Sequence, residues 1–168
     1  AGVTAAVTRE INSGDKYHAL LSKRFDRTND GRRIHFASAM TLLGLTDGCD
    51  AKSGNGYIDI VDFILQNCCD VNQNLRQLYR RVAFNIAIGN SDDHFRNHGF
   101  LLTQRGWTLA PAYDMNPTLS EYQSLLINSS TNESNLQILL DSAEEYMISY
   151  NDARTIIEEV VDGVSKWR

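Results

Sequence analysis

Asp92, Asn97 and Asp114 are the residues whose types and order could do chemistry. They lie in two polar segments, Gly89-Asn90-Ser91-Asp92-Asp93-His94-Phe95-Arg96-Asn97 and Ala110-Pro111-Ala112-Tyr113-Asp114. So many polar groups beside an apolar run are unfavourable unless they face water, one another or a ligand. Phosphoryl transfer would use them. It needs a carboxylate to orient a hydroxyl nucleophile and accept its proton, a role open to Asp92. It needs hard oxygen ligands for Mg²⁺, which Asn97 and Asp114 are by type. A cation near the developing charge helps, and Arg96 is close in sequence. His94 reads as a brace that hydrogen-bonds within the loop and orients Asp92, beside the alternative of a direct catalytic role. Asp93 reads as a solvated surface acid, and His18, His35 and His98 as structural residues without partners at ligand spacing.

The elements that must position these groups are partly visible. Leu75, Leu78, Tyr79, Val82, Ala83, Ile86 and Ala87 form one apolar stripe at helical spacing, which stops at Gly89-Asn90. Gly99–Thr103 and Trp107–Ala110 flank Gln104-Arg105-Gly106 as a short β-hairpin, returning the chain from the first polar segment to the second. Before the stripe, Ile58–Cys69 predicts an amphipathic helix, and Phe36, Met40 and Leu43 predict helix over His35–Leu43. Tyr17–Ser22 predicts a strand entering Lys23-Arg24-Phe25-Asp26-Arg27 and a turn at Asn29-Asp30-Gly31, while residues 1–12 fit strand or helix end equally. Residues 46–57 lack P-loop and EF-hand spacing and read as a loop. Residues 111–134 look irregular. Helices are expected at Leu136–Tyr150 and Asp152–Trp167, the second N-capped by Asn151. The expected fold is mainly α with one small hairpin.

Composition narrows the function classes. The chain has 168 residues, 42% hydrophobic and 22% charged, and could bury about 70% of its unfolded surface as one domain. A net charge of −5 argues against direct nucleic-acid binding by this segment, despite Arg76, Arg80 and Arg81 in one stretch. Cys49, Cys68 and Cys69 make a poor disulfide or zinc framework and read as reduced thiols of a cytoplasmic protein. No apolar run approaches the length of a membrane span. The chain opens on Ala1-Gly2-Val3-Thr4 without Met, and reads as a fragment.

The order of Asp, four residues, Asn, strand–turn–strand, Asp follows the logic of a protein kinase, without the usual His-Arg-Asp and Asp-Phe-Gly spellings. Ile88–Phe100 resembles the catalytic loop of HipA-like serine/threonine kinases, whose pattern is Asp-x-His-x-Lys-Asn, and Leu109–Asp114 resembles their metal-binding segment. Arg24-Phe25-Asp26-Arg27 with His35–Ala39 resembles the family's hinge and the helix after it, and Ala153–Trp167 its closing helix. The resemblance implies a helical kinase-like C-lobe over 28–168, with 1–27 a remnant of the N-lobe and hinge. Asp92 would be the base, joined in the catalytic loop by His94 and Arg96; Asn97 and Asp114 would hold Mg²⁺; Lys23, Arg24 and Phe25 would be the hinge against which the adenine of ATP lies. Arg96 departs from the family's Lys, keeping the charge but not its point-like geometry. Also implied are a protein substrate, a DNA-binding HipB-like antitoxin as partner, and an inactive segment when isolated from the nucleotide-gripping lobe. Two other readings remain: an idle protein-binding scaffold, and a phosphohydrolase holding metal through Asp92, Asp93 and Asp114. Under the kinase reading Asp92, Asn97 and Asp114 are expected to converge at one edge of the domain.

Overall fold

The structure is a computed structural model describing all residues except Ser13, Asp15, Lys16, Leu119, Trp167 and Arg168. In chain order it contains β1 (Thr8–Asn12), β2 (His18–Ser22), β3 (His35–Ser38), α1 (Ala39–Leu42), α2 (Tyr57–Asn67), α3 (Val71–Ile88), β4 (Gly99–Thr103), β5 (Gly106–Leu109), α4 (Leu136–Asp141) and α5 (Tyr150–Ser165). Among the described residues the strands form an antiparallel β1–β2 hairpin and a three-stranded antiparallel sheet ordered β3–β4–β5. The arrangement is mixed α/β, with more strand than the mainly α expectation.

The stripe on α3 organises the core. Leu75, Leu78, Tyr79, Val82 and Ala83 are buried, facing Ala153, Ile156 and Val160 of α5 and the α2 residues Ile60 and Ile64. Each large side chain so buried contributes about 1.5–3 kcal/mol. Tyr79 meets Tyr146 edge-on with centroids 5.2 Å apart, and Phe63 meets Phe100 at 4.8 Å, linking helices to the β4 strand. Gly89 ends α3 at φ +72°, a left-handed position that glycine takes without strain, and its N–H returns to the Asn85 and Ile86 carbonyls.

Three local expectations change. His35–Ser38 is strand rather than helix, because its backbone pairs with Gly99–Leu102, and the Ser38 hydroxyl then caps a helix of only four residues. The expected Leu136–Tyr150 helix breaks after Asp141 into a 3-10 turn that ends at Met147, φ +57°. Ser149, not Asn151, caps α5, its Oγ accepting the Asp152 N–H at 3.2 Å. Residues 1–12 resolve as strand over Thr8–Asn12, and the expected helix end at Trp167 lies outside the described residues. Cys49, Cys68 and Cys69 are free thiols.

The β1–β2 hairpin is exposed along its length, Leu20 at 71% and Leu21 at 53%. Such a hairpin is marginal by itself in water. It is tied to the body where Ala6 N–H donates to the Ala112 carbonyl and Ala112 N–H to the Thr4 carbonyl, both at 2.8 Å.

Candidate functional site

The loop after α3 turns sharply and is pinned from several sides. Asn90 N–H bonds the Asn85 carbonyl at 2.8 Å, Ser91 N–H bonds Thr118 Oγ1 at 2.8 Å, and the Ser91 carbonyl accepts from Ser124 N–H and Oγ. Asn97 N–H closes a turn on the His94 carbonyl at 2.8 Å, while Asn97 Nδ2 donates to the Asp92 carbonyl at 3.2 Å. These bonds hold Asp92 outward, exposed, its carboxylate without a hydrogen-bond partner among the described residues. The next residue does the opposite.

Asp93, expected as a surface acid, is buried. Its Oδ2 accepts from Tyr57 Oη at 2.7 Å and Asn85 Nδ2 at 2.7 Å and lies 2.8 Å from His98 Nε2. His98, expected to lack a partner at ligand spacing, thus has one at Nε2, while its buried Nδ1 has none among the described residues, and its ring packs edge-on against Tyr57. Burial pushes the Asp93 carboxyl up, but the His98 charge and the bonds from His98 and Tyr57 outweigh it and leave the group below its ordinary range. Burial likewise pushes the Tyr57 hydroxyl well up, aided by the Asp93 charge. The clue missed in the sequence was Asn85, a polar residue in register with the apolar stripe at Leu78 and Val82. Arg81, on the same helix, is also buried, donates to the Ala110 carbonyl, and is brought down to about 10 by burial despite the opposing charges of Asp93 and Tyr113.

The hairpin brings the second segment back to the loop at Tyr113. Tyr113 Oη donates to the Arg96 carbonyl at 2.6 Å, which sets Asp114 next in chain to a residue touching the loop. Asp114 is exposed at φ +56°, with Oδ1 accepting from Asn116 Nδ2 at 2.9 Å. A left-handed aspartate is tolerated but uncommon, and such positions concentrate at functional sites. Gly99 is required here: a Cβ would come within 2.1 Å of the Phe36 ring.

A cavity of about 500 Å³ lies between these segments, lined by Ser22, Lys23, Arg24, Phe25, Asp26, Phe36, Arg96 and Tyr113. Phe25 stacks on Tyr113 with centroids 5.8 Å apart, and Phe36 lies 5.9 Å from Phe25, giving an aromatic wall. Lys23 N–H is committed to the Val7 carbonyl at 2.8 Å, whereas the Arg24 and Phe25 backbones have no hydrogen-bond partner among the described residues. Asp26 fixes the turn through Arg24 and Arg27, and the Arg24 bond holds its carboxyl down to about 2. Asp114 lines an adjoining cavity that shares Ser22 and Tyr113. Asp92 lines a different, polar cavity.

The charges of the loop are already partly matched. Arg96 forms an ion pair with Asp47, and its Nη2 lies 3.4 Å from His94 Nε2. Both partners are exposed, so the pair is weakly held and open to a competing anion. His94 therefore touches Arg96, and no hydrogen bond joins it to Asp92 among the described residues. No group of three or more His, Cys, Asp or Glu side chains suited to a metal occurs among the described residues. Asn97 and Asp114 offer one amide and one carboxylate oxygen, a hard donor pair of the kind Mg²⁺ accepts alongside phosphate and water.

The chain matches the family model of the HipA-like C-terminal domain over residues 1–168. A Haemophilus influenzae protein named "Putative kinase" is 29% identical over 111 residues, covering 61% of this chain and 32% of the relative. A Sinorhizobium fredii protein, "Putative kinase Y4dM", is 31% identical over 105 residues, covering 60% of this chain and 24% of the relative. The alignments thus span a third or less of these curated relatives. In a solved complex of Shewanella oneidensis HipA, HipB and operator DNA, a chain matches with a TM-score of 0.82 at 20% identity, over 98% of this chain and 44% of its own length. That likeness establishes the fold. No helix among the described residues is long and apolar enough to cross a membrane.

Proposed function

This chain belongs to the HipA-like C-terminal domain family, and on that premise we propose that it is the catalytic lobe of a Mg²⁺- and ATP-dependent serine/threonine protein kinase. The observation that carries the reading is the bond from Tyr113 to the Arg96 carbonyl, which joins the Asp114 segment to the Asp92–Asn97 loop across from Lys23–Phe25. The Phe25, Phe36 and Tyr113 rings would take adenine, with the free backbone of Arg24 and Phe25 as the hydrogen-bonding edge offered to it. Arg96 leaves Asp47 for phosphate. Asp92 orients the acceptor hydroxyl and takes its proton as the hydroxyl oxygen bonds the γ-phosphorus and the bond to ADP breaks. Asn97 and Asp114 would hold Mg²⁺, whose charge would offset that of the triphosphate. His94 positions Arg96.

Residues 1–27 belong with the nucleotide-side lobe and 28–168 with the catalytic lobe. The bare β1–β2 hairpin suits an element that packs on more of that first lobe, so the 168 residues alone are expected to show no kinase turnover. The solved neighbour's assembly with HipB and operator DNA supports a HipB-like antitoxin as partner; the net charge of −5 speaks for this segment lying away from the DNA, and the setting we propose is cytoplasmic. A phosphohydrolase using Asp92, Asp93 and Asp114 together is disfavoured, because Asp93 is engaged by Tyr57, Asn85 and His98.

Calorimetric titration of Mg·ATP against the protein as its gene encodes it tests the metal assignment. Asp114→Asn should weaken Mg²⁺-dependent ATP binding by about tenfold or more, through loss of a charged oxygen ligand. In EDTA, variant and wild type should bind ATP alike. Equal binding with Mg²⁺ present would remove Asp114 from the metal site.

A further inference from the structure

We propose that the polar cleft beyond Asp92 is the acceptor site, and that it takes an extended peptide segment with a serine or threonine beside an acidic residue. This rests on the kinase reading and adds the substrate class. The cleft holds about 380 Å³ and shares no residue with the aromatic cavity beside Lys23–Phe25, so an acceptor at the exposed Asp92 carboxylate does not compete for space with the proposed adenine, and only the γ-phosphate has to reach it.

Its walls offer unmatched groups of both kinds. Gln123 is 2% exposed and lines the cleft; its Nε2 donates to Ser134 Oγ at 2.9 Å, but its Oε1 has no donor among the described residues. Buried and without a donor, Oε1 is destabilised by about 1–3 kcal/mol, which turning the amide toward a peptide N–H in the cleft would recover. Lys52 lines the same cleft, exposed, with no carboxylate within ion-pair distance among the described residues. The nearest carboxylate in sequence, Asp50, is occupied in capping, accepting from the Lys52 and Ser53 N–H groups.

The rim is also suited to an extended chain. Tyr122 and Glu133 form an antiparallel bridge, Gln123 N–H bonds the Asn132 carbonyl at 2.7 Å, and Asn132 Nδ2 returns to the Gln123 carbonyl at 2.6 Å. That isolated bridge fixes the backbone of Tyr122 and Gln123 before any ligand arrives. The Asp50 and Asp92 carboxylates disfavour a polyphosphate lying in the cleft itself, which leaves the cleft to the acceptor. A hydroxyl at Asp92 and a carboxylate reaching Lys52 satisfy both free charges at once.

The test is phosphorylation of oriented serine/threonine peptide libraries by the protein as its gene encodes it, with Mg·ATP binding measured in parallel. Lys52 is exposed, so Lys52→Glu should leave folding and Mg·ATP affinity unchanged. It should cut kcat/KM for acid-flanked peptides by about tenfold or more through KM, and turn the preference toward basic flanks. Gln123→Leu should raise KM for all peptides in the library. If wild type turns over ATP but Lys52→Glu keeps the wild-type preference, or no peptide is phosphorylated while autophosphorylation proceeds, the acceptor cleft is wrong and the kinase reading stands. If wild type neither binds nor turns over Mg·ATP, the kinase reading itself falls, and the inference with it.

Discussion

Asp92→Asn should lower phosphoryl transfer by about 10²–10⁴-fold, the usual contribution of a positioned general base. Its Mg·ATP affinity and melting temperature should stay near those of wild type. The reason is local. Asp92 is exposed, its carboxylate bonds nothing among the described residues, and the loop is held by its own backbone and by its neighbours. Asparagine preserves the shape and the carbonyl that Asn97 uses, and changes only the ability to take a proton. Exposed substitutions of this kind usually shift stability by no more than about 0.5 kcal/mol. Single-turnover phosphorylation, calorimetry and a thermal melt on the protein as its gene encodes it would separate these effects. Retained activity in the variant would remove Asp92 as the base. A wild type that binds partner proteins but never turns over ATP would favour the idle scaffold.

Asp93→Leu should have the largest effect on stability, about 3–5 kcal/mol. Leucine fills a similar volume but accepts no hydrogen bond. It would leave Tyr57 Oη, Asn85 Nδ2 and His98 Nε2 without their shared acceptor inside the core. Removing one partner of a buried, hydrogen-bonded charge pair typically costs about this much, and a domain has only about 5–15 kcal/mol in total. For a chain of this length the melting temperature should fall by roughly 6–20 °C. Asp93→Asn keeps an oxygen in place and should cost about 1–2 kcal/mol, the difference between charged and neutral hydrogen bonds. The pH dependence has a definite sign. The folded Asp93 carboxyl lies below its ordinary value, so its contribution is fully present above about 3.9 and is lost as pH falls through the depressed folded value. A melt of Asp93→Leu indistinguishable from wild type at neutral pH would show that the network does not hold the loop.

Much of the site's vocabulary was legible without coordinates, because the spacing of Asp92, Asn97 and Asp114 around a helix end and a hairpin is local information. The stripe on α3, its exit at Gly89 and the strands β4 and β5 follow from short-range periodicity and from backbone needs within one turn. The aromatic wall was not legible. Phe25, Phe36 and Tyr113 lie far apart in sequence, and no local pattern says that their rings meet.

The sequence by itself determined the helical frame, the loop that follows it and the order of the candidate oxygen donors, since each depends on residues within a few positions of one another. Tertiary structure alone decided that His35–Ser38 is strand, because the unpaired edge of β4 needed a partner and outweighed a three-residue helical pattern. It alone decided that Asp93 turns inward while Asp92 turns out. Adjacent carboxylates of one type carry no sequence signal to tell them apart. The Tyr57 hydroxyl that draws Asp93 into the core comes from 36 residues away, and only a folded chain brings that donor to the acceptor.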